Sequence, residues 1–132
     1  MIFALHPRLE ADTHFAADWP LCRVLAMNDA RYPWLVLVPR RDDVTEVTAL
    51  ETADRAVLMD EIDRAGRLIQ SCSGVAKLNI GALGNLVPQL HIHLVGRHTG
   101  DPAWPGPVWG HSPAVPYEPD ALGKILHLVR AG

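Results

Sequence analysis

The sequence predicts an α+β fold: a mostly antiparallel five-stranded sheet, one long helix and a short C-terminal helix. Three observations carry this. Short apolar runs joined by turn signals open the chain. One long stretch then has helical periodicity. Two more strand-like runs and a second amphipathic stretch follow, in the order of a sheet with its helices to one side.

The first run, residues 13 to 17 (THFAA), ends at the turn signal DWP. The second, CRVLAMN at 22 to 28, is broken by DARYP, and the third, WLVLVP at 34 to 39, is nearly continuous in apolar residues. Such a run marks a strand covered on both faces. It would also make an awkward free edge. Pro39 and RRDD close this meander.

The long helix is expected to start near Thr52, a plausible N-cap, with Asp54 in its first turn. Leu58, Ile62, Ala65 and Ile69 recur at helical spacing, and Met59 beside them is read as core packing. Gly74 is a natural stop. AKLNIGAL at 76 to 83 is the fourth strand, Gly84 and Asn85 turn the chain, and residues 89 to 96 form the fifth. Residues 100 to 119 hold six of the eleven prolines and two of the four tryptophans. That composition forbids regular helix or central strand, yet the tryptophans require something to pack on. Pro119 then opens the last helix, marked by Leu122, Ile125, Leu126 and Val129.

At 132 residues the chain fits a single domain, 1–132, with enough surface to bury a core unaided. A net charge of −3 and a pI of about 6.1 argue against a nucleic-acid groove or an anionic membrane surface. Cys22 and Cys72 form no C-x-x-C pair and suit a reduced chain. The first residues lack the apolar run of a signal peptide, and no segment approaches the roughly 20 apolar residues of a membrane span. A cytoplasmic protein is expected.

Chemistry concentrates in VPQLHIHLVGRH at 87 to 98. Strand alternation puts Gln89, His91 and His93 on one face and Leu90, Ile92 and Leu94 on the other, with about 6 to 7 Å between same-face neighbours. Three readings fit. The histidines are incidental on a solvated face. Alternatively they are a metal pair completed by His98 or His111 and an acid such as Asp101. In the third reading, one histidine is a nucleophile or general acid–base held by its neighbours.

These residues resemble the signature of the histidine triad (HIT) superfamily of nucleotide hydrolases and transferases. GNLVPQLHIHLVGR keeps the frame of three polar positions alternating with apolar ones. AWPG resembles a Trp-Pro element that follows the signature. CRVLAMNDARYPWLVLVPRR resembles the family's hairpin, and KLNIG resembles the strand carrying a nucleotide-contacting asparagine. The likeness runs from residue 13 to about 110 in the family's element order.

The resemblance implies a HIT-like fold and an attack on the α-phosphorus of a nucleotide by the middle histidine, His91. The product would be a nucleotidyl-histidine. His93 would shape the phosphate site, and Gln89 stands where the family has its first histidine. Asn79, Gly84 and Asn85 would lie near the phosphates. Asn28 or Asp29 would meet the ribose. Several members carry a further histidine at what is Trp34 here. Glutamine forms hydrogen bonds but does not titrate, so His98 or His111 are conceivable substitutes, with a solvated loop position the alternative for each. His93 or a loop histidine is the candidate proton donor to the leaving group. The substrate would be a nucleoside phosphate ester, a dinucleoside polyphosphate or a phosphoramidate. No tightly bound cofactor is expected, and any divalent metal would be carried by the substrate. A homodimer paired through the sheet and first helix is implied. The alternatives are a non-catalytic nucleotide-binding module and a histidine-ligated metal protein.

Overall fold

In the computed structural model, which describes residues 2–132, five apolar runs line up as one sheet. The strands are β1 (Thr13–Asp18), β2 (Cys22–Met27), β3 (Trp34–Pro39), β4 (Lys77–Gly81) and β5 (Ile92–Arg97). Their order is β1-β2-β3-β5-β4, and every neighbouring pair is antiparallel. The strand at 34–39 is thus the centre of the sheet and not a free edge. β2 and β5 take both sides of its backbone, so its continuous apolar sequence is consumed by the fold. β1 and β4 form the edges.

The alternation of side chains creates a core on each face. Leu35, Leu37, Leu90, Ile92 and Leu94 pack against helix α2 (Thr52–Gln70) through Leu58, Ala65 and Ile69. Helix α3 (Pro119–Ala131) joins this layer through Ile125 and Val129. α2 sits close to the sheet because Gly96 has no side chain: a Cβ there would lie 2.8 Å from Ile69 Cγ2 and 2.9 Å from Val75 Cγ2. On the opposite face Trp34, Val36, Val38 and Val95 pack with Leu9, Val87, Ala103 and Val108. The proline-rich segment covers this second core, which accounts for its apolar content.

Several boundaries differ from the sequence reading. Glu51, not Thr52, is the N-cap of α2, and Thr52 is the first helical residue, its hydroxyl accepting from Arg55 Nη2 at 3.0 Å. Met59 is 64% exposed and not core, because one step past Leu58 turns a side chain about 100° around the helix. Glu61 is buried in its place, its carboxylate accepting from the Leu21 and Cys22 amides at 3.0 and 2.8 Å. β5 begins at Ile92 and not at 89. The ladder partners end at Leu37 and Gly81, so Gln89, Leu90 and His91 approach the strand without one. Helix α1 (Pro7–Asp12) was not anticipated; the His6 Nδ1 caps it by accepting from the Arg8 amide at 3.0 Å. Cys22 is buried and Cys72 half-buried, both as free thiols. Among the described residues no helix is long and apolar enough to cross a membrane.

Candidate active site

The last irregular residues before β5 and its first turn bring His91 and His93 together, with ring centroids 5.0 Å apart and planes at 73°. Both are 6% exposed. His91 Nδ1 lies 2.6 Å from the backbone oxygen of Gln89. A carbonyl only accepts, so Nδ1 carries the hydrogen and the Nε2 lone pair is left available.

His93 is held the opposite way. The Trp34 indole N–H donates to His93 Nδ1 at 3.0 Å. Indole nitrogen cannot accept, so Nδ1 must be unprotonated and Nε2 carries the hydrogen. Burial, then the neighbouring His91 charge, pushes the His93 pKa down to about 4. At neutral pH His93 therefore presents a neutral Nε2–H donor to the cavity. Trp34 and Trp109 box its ring at 5.7 and 5.6 Å. Trp109 can approach because Gly81 faces it: a Cβ there would stand 3.2 Å from Trp109 Cη2. Trp34→Phe keeps an apolar wall and removes the donor. The His93 pKa, followed by NMR titration, is expected to rise only modestly above about 4, because the donor that favours neutral Nδ1 is lost while burial and the His91 charge remain. An unchanged titration would rule out the indole as the group that fixes the tautomer.

Both histidines open onto a cavity of about 470 Å³. Leu9, Met27, Val87 and Val108 give it apolar walls, and Arg8, Asp12, Asp29 and Arg31 a polar rim. The turn with Gly84 and Asn85 lines it too; Gly84 adopts φ +74, a left-handed conformation that glycine takes without a Cβ clash. Of the two ribose candidates, Asp29 lines the cavity. Asn28 does not, because its side-chain oxygen accepts from the Tyr117 amide at 3.0 Å. Burial alone would raise the Asp29 pKa. The Arg31 pair at 2.9 Å and the amides of Arg31 and Val115 outweigh that and hold the carboxyl below its usual range.

Asn79 does not reach the cavity. Its Oδ1 accepts from Arg97 Nη1 at 2.9 Å, in a node that the sequence reading missed. Arg97, 1% exposed, donates to both Asp101 oxygens at 2.7 and 3.0 Å and to the Gly106 carbonyl at 2.9 Å. Asp101 also accepts from the His98 and Trp104 amides, at 3.2 and 2.8 Å, and its pKa falls to about 2, chiefly through Arg97. An acid so committed is not a free metal ligand. Among the described residues no three His, Cys, Asp or Glu side chains are grouped to hold a metal ion.

Gln89 also lies outside the main cavity. It lines a smaller pocket of about 250 Å³ beside His91, and its side chain is bonded to the N-terminal segment. His98 and His111 are exposed and line neither pocket; their Nδ1 atoms engage the Gly100 amide and the Ser112 hydroxyl. The lining by Arg8, Leu9 and Asp12 had no sequence signal, since six residues are too few for periodicity to show. Arg31 could have been found as a basic residue two places from Asp29.

A family model described as the HIT domain matches residues 8–100. A crystal structure of a histidine triad protein from Bradyrhizobium japonicum is similar at 46% identity and a TM-score of 0.95, covering 98% of this chain and 96% of that one. One from Marinobacter aquaeolei VT8 is similar at 41% identity and a TM-score of 0.93, over 99% and 98%. The C. elegans NitFhit protein shares the fold at 19% identity and a TM-score of 0.64, with 89% of this chain matching 27% of that one. No curated sequence matches.

Proposed function

This chain belongs to the HIT family, and on that premise we propose that it cleaves a nucleoside phosphate ester, anhydride or phosphoramidate at the α-phosphorus. One observation supports this above the others. His91 has its Nδ1 hydrogen held by a backbone carbonyl and its Nε2 lone pair beside a cavity large enough for a nucleoside.

In this reading Nε2 forms a nitrogen–phosphorus bond as the bond to the leaving group breaks. The leaving group takes a proton from solvent. Water then attacks the nucleotidyl-histidine, gives up a proton, and releases a nucleoside monophosphate and His91. The Nε2–H of neutral His93 and backbone amides of the Gly84–Asn85 turn donate to the phosphoryl oxygens as charge develops there. Asp29 accepts from a ribose hydroxyl, and the apolar walls hold the base. Asn79 acts at a distance, by orienting Arg97 beneath the Pro-rich segment. A polyphosphate substrate would bring its own divalent ion.

A screen across dinucleoside polyphosphates and adenosine phosphoramidates, with trapping of the covalent adduct by acid-free mass spectrometry, tests the proposal. An adduct on His91 is the expected result. Binding across the panel with neither turnover nor adduct would replace the enzyme by a nucleotide-binding module, a reading favoured by the engagement of Gln89 away from the phosphate site.

We also propose a cytoplasmic homodimer. Pairing through the sheet and the long helix suits the free edge of β4, where Ile80 is 50% exposed, and Met59 of α2 at 64%. Light scattering at micromolar concentration should give twice the chain mass, and Ile80→Asp should halve it. A monomeric parent protein would end this assignment.

A further inference from the structure

The position that holds a glutamine in place of the first triad histidine ties together two parts of the chain far apart in sequence. Gln89 Oε1 accepts from the His6 amide at 2.8 Å, and Gln89 Nε2 donates to the Ala4 carbonyl at 3.0 Å. A carboxamide sets an acceptor and a donor side by side in one plane, as a backbone strand edge does. It therefore matches a C=O and an N–H two residues apart on an irregular segment. A neutral imidazole also has one donor and one acceptor, but its nitrogens point outward on diverging lines and cannot meet both.

The segment held in this way is built into the cavity. Phe3 and Leu5 pack against the core on the histidine face. His6 then caps α1 through its ring, Pro7 starts the helix, and Leu9 is buried. Arg8, Leu9 and Asp12 from that helix line the cavity. At its other end, the Gln89 backbone carbonyl takes the Nδ1 hydrogen of His91 at 2.6 Å. One residue thus touches both the ring that would attack and the segment that carries one wall.

We infer that Gln89 is a positioning residue: its carboxamide anchors the segment before α1 and so holds Arg8, Leu9 and Asp12 as a wall of the nucleotide cavity beside His91. The inference rests on the cavity being a nucleotide site. It gives the departure from three histidines a purpose, since the side chain is used for assembly of the pocket and not for proton transfer.

The test compares the parent chain with Gln89→Ala, Gln89→His and a chain lacking residues 2–6. Amide hydrogen exchange at His6, Arg8 and Glu10 should accelerate at least about tenfold in both Gln89 variants, because the opening free energy of the wall falls. With AMP as the probe, Kd should rise about fivefold or more in each variant. With a substrate in hand, KM should carry the loss and kcat stay within about twofold. Adding Gln89→Ala to the shortened chain should weaken AMP no further, since both partners are gone. Unchanged exchange in Gln89→Ala, parent-like behaviour of Gln89→His, or additive losses in the shortened chain would each overturn the inference. If the parent binds no AMP, the nucleotide reading fails, while the exchange experiment still decides whether Gln89 holds the wall.

Discussion

His91→Ala is expected to lower turnover by at least about 10³-fold while the protein stays folded. The size of the loss follows from the neighbouring ring. His93 is 5.0 Å away, yet it offers no replacement nucleophile. Its only lone pair, on Nδ1, is covered by the Trp34 N–H, and its Nε2 carries a hydrogen. The structural effect is small by comparison. Truncation leaves the Gln89 carbonyl without the His91 ring, which costs about 1 to 3 kcal/mol if water does not enter. Circular dichroism and a thermal melt should therefore remain cooperative. His93→Ala should be milder, about 10- to 100-fold in kcat, since on the proposed mechanism it removes one phosphoryl donor and spares the nucleophile. A His91→Ala enzyme within tenfold of the parent would place the nucleophile elsewhere.

The second large effect concerns stability. Asp101→Ala is expected to destabilise the fold by about 3 to 5 kcal/mol, because it strands a buried guanidinium that has no water to turn to. For a chain of this size that lowers the melting temperature by on the order of 10 °C or more. Replacing Arg97 and Asp101 together by apolar residues should recover only part of the loss, because Asn79 Oδ1, the Gly106 carbonyl and the His98 and Trp104 amides would lose their partners. A single Asp101 variant melting like the parent would show that solvent reaches Arg97.

The same node and His93 contribute to the acid response, alongside Asp18 and Asp29, whose carboxyls are also held low by their arginines. The pKa of each is lower folded than unfolded, so each contributes stability that is complete above its ordinary pKa and fades as pH falls toward its folded value. For His93 the window runs from 6.5 down to about 4, and for Asp101 from 3.8 down to about 2. From about 1.4 kcal/mol per pH unit, these windows carry about 3 and 2 kcal/mol. Melts taken from pH 7 to pH 4 should show a steady loss first, and Trp34→Phe should shrink it.

Much of this was readable in the sequence because it is local. The runs at 13, 22, 34, 77 and 92 are strands, the period through Leu58, Ala65 and Ile69 is a helix, and the alternation before Leu94 separates the histidines from the core. What could not be read depends on distant partners. Gln89 looked like a catalytic position because nothing near it announces Ala4 or His6. Asn79 looked like a ligand contact because Arg97 lies 18 residues away. The strand at 34–39 reads as one that needs cover, but nothing in it names β2 and β5 as the neighbours that supply it. Met59 and Glu61 show the limit of periodicity: a helix position fixes a direction, but what lies in that direction is decided by the sheet and by the amides of Leu21 and Cys22.

The indoles of Trp34 and Trp109 flank His93 on the wall of the cavity. Protonated imidazole quenches indole emission more strongly than neutral imidazole. The protein therefore carries its own optical probe. Its ultraviolet fluorescence should dim as the solution is acidified through the His93 transition. Protonation beside the cavity could then be followed on unlabelled material, against the constant emission of Trp19 and Trp104.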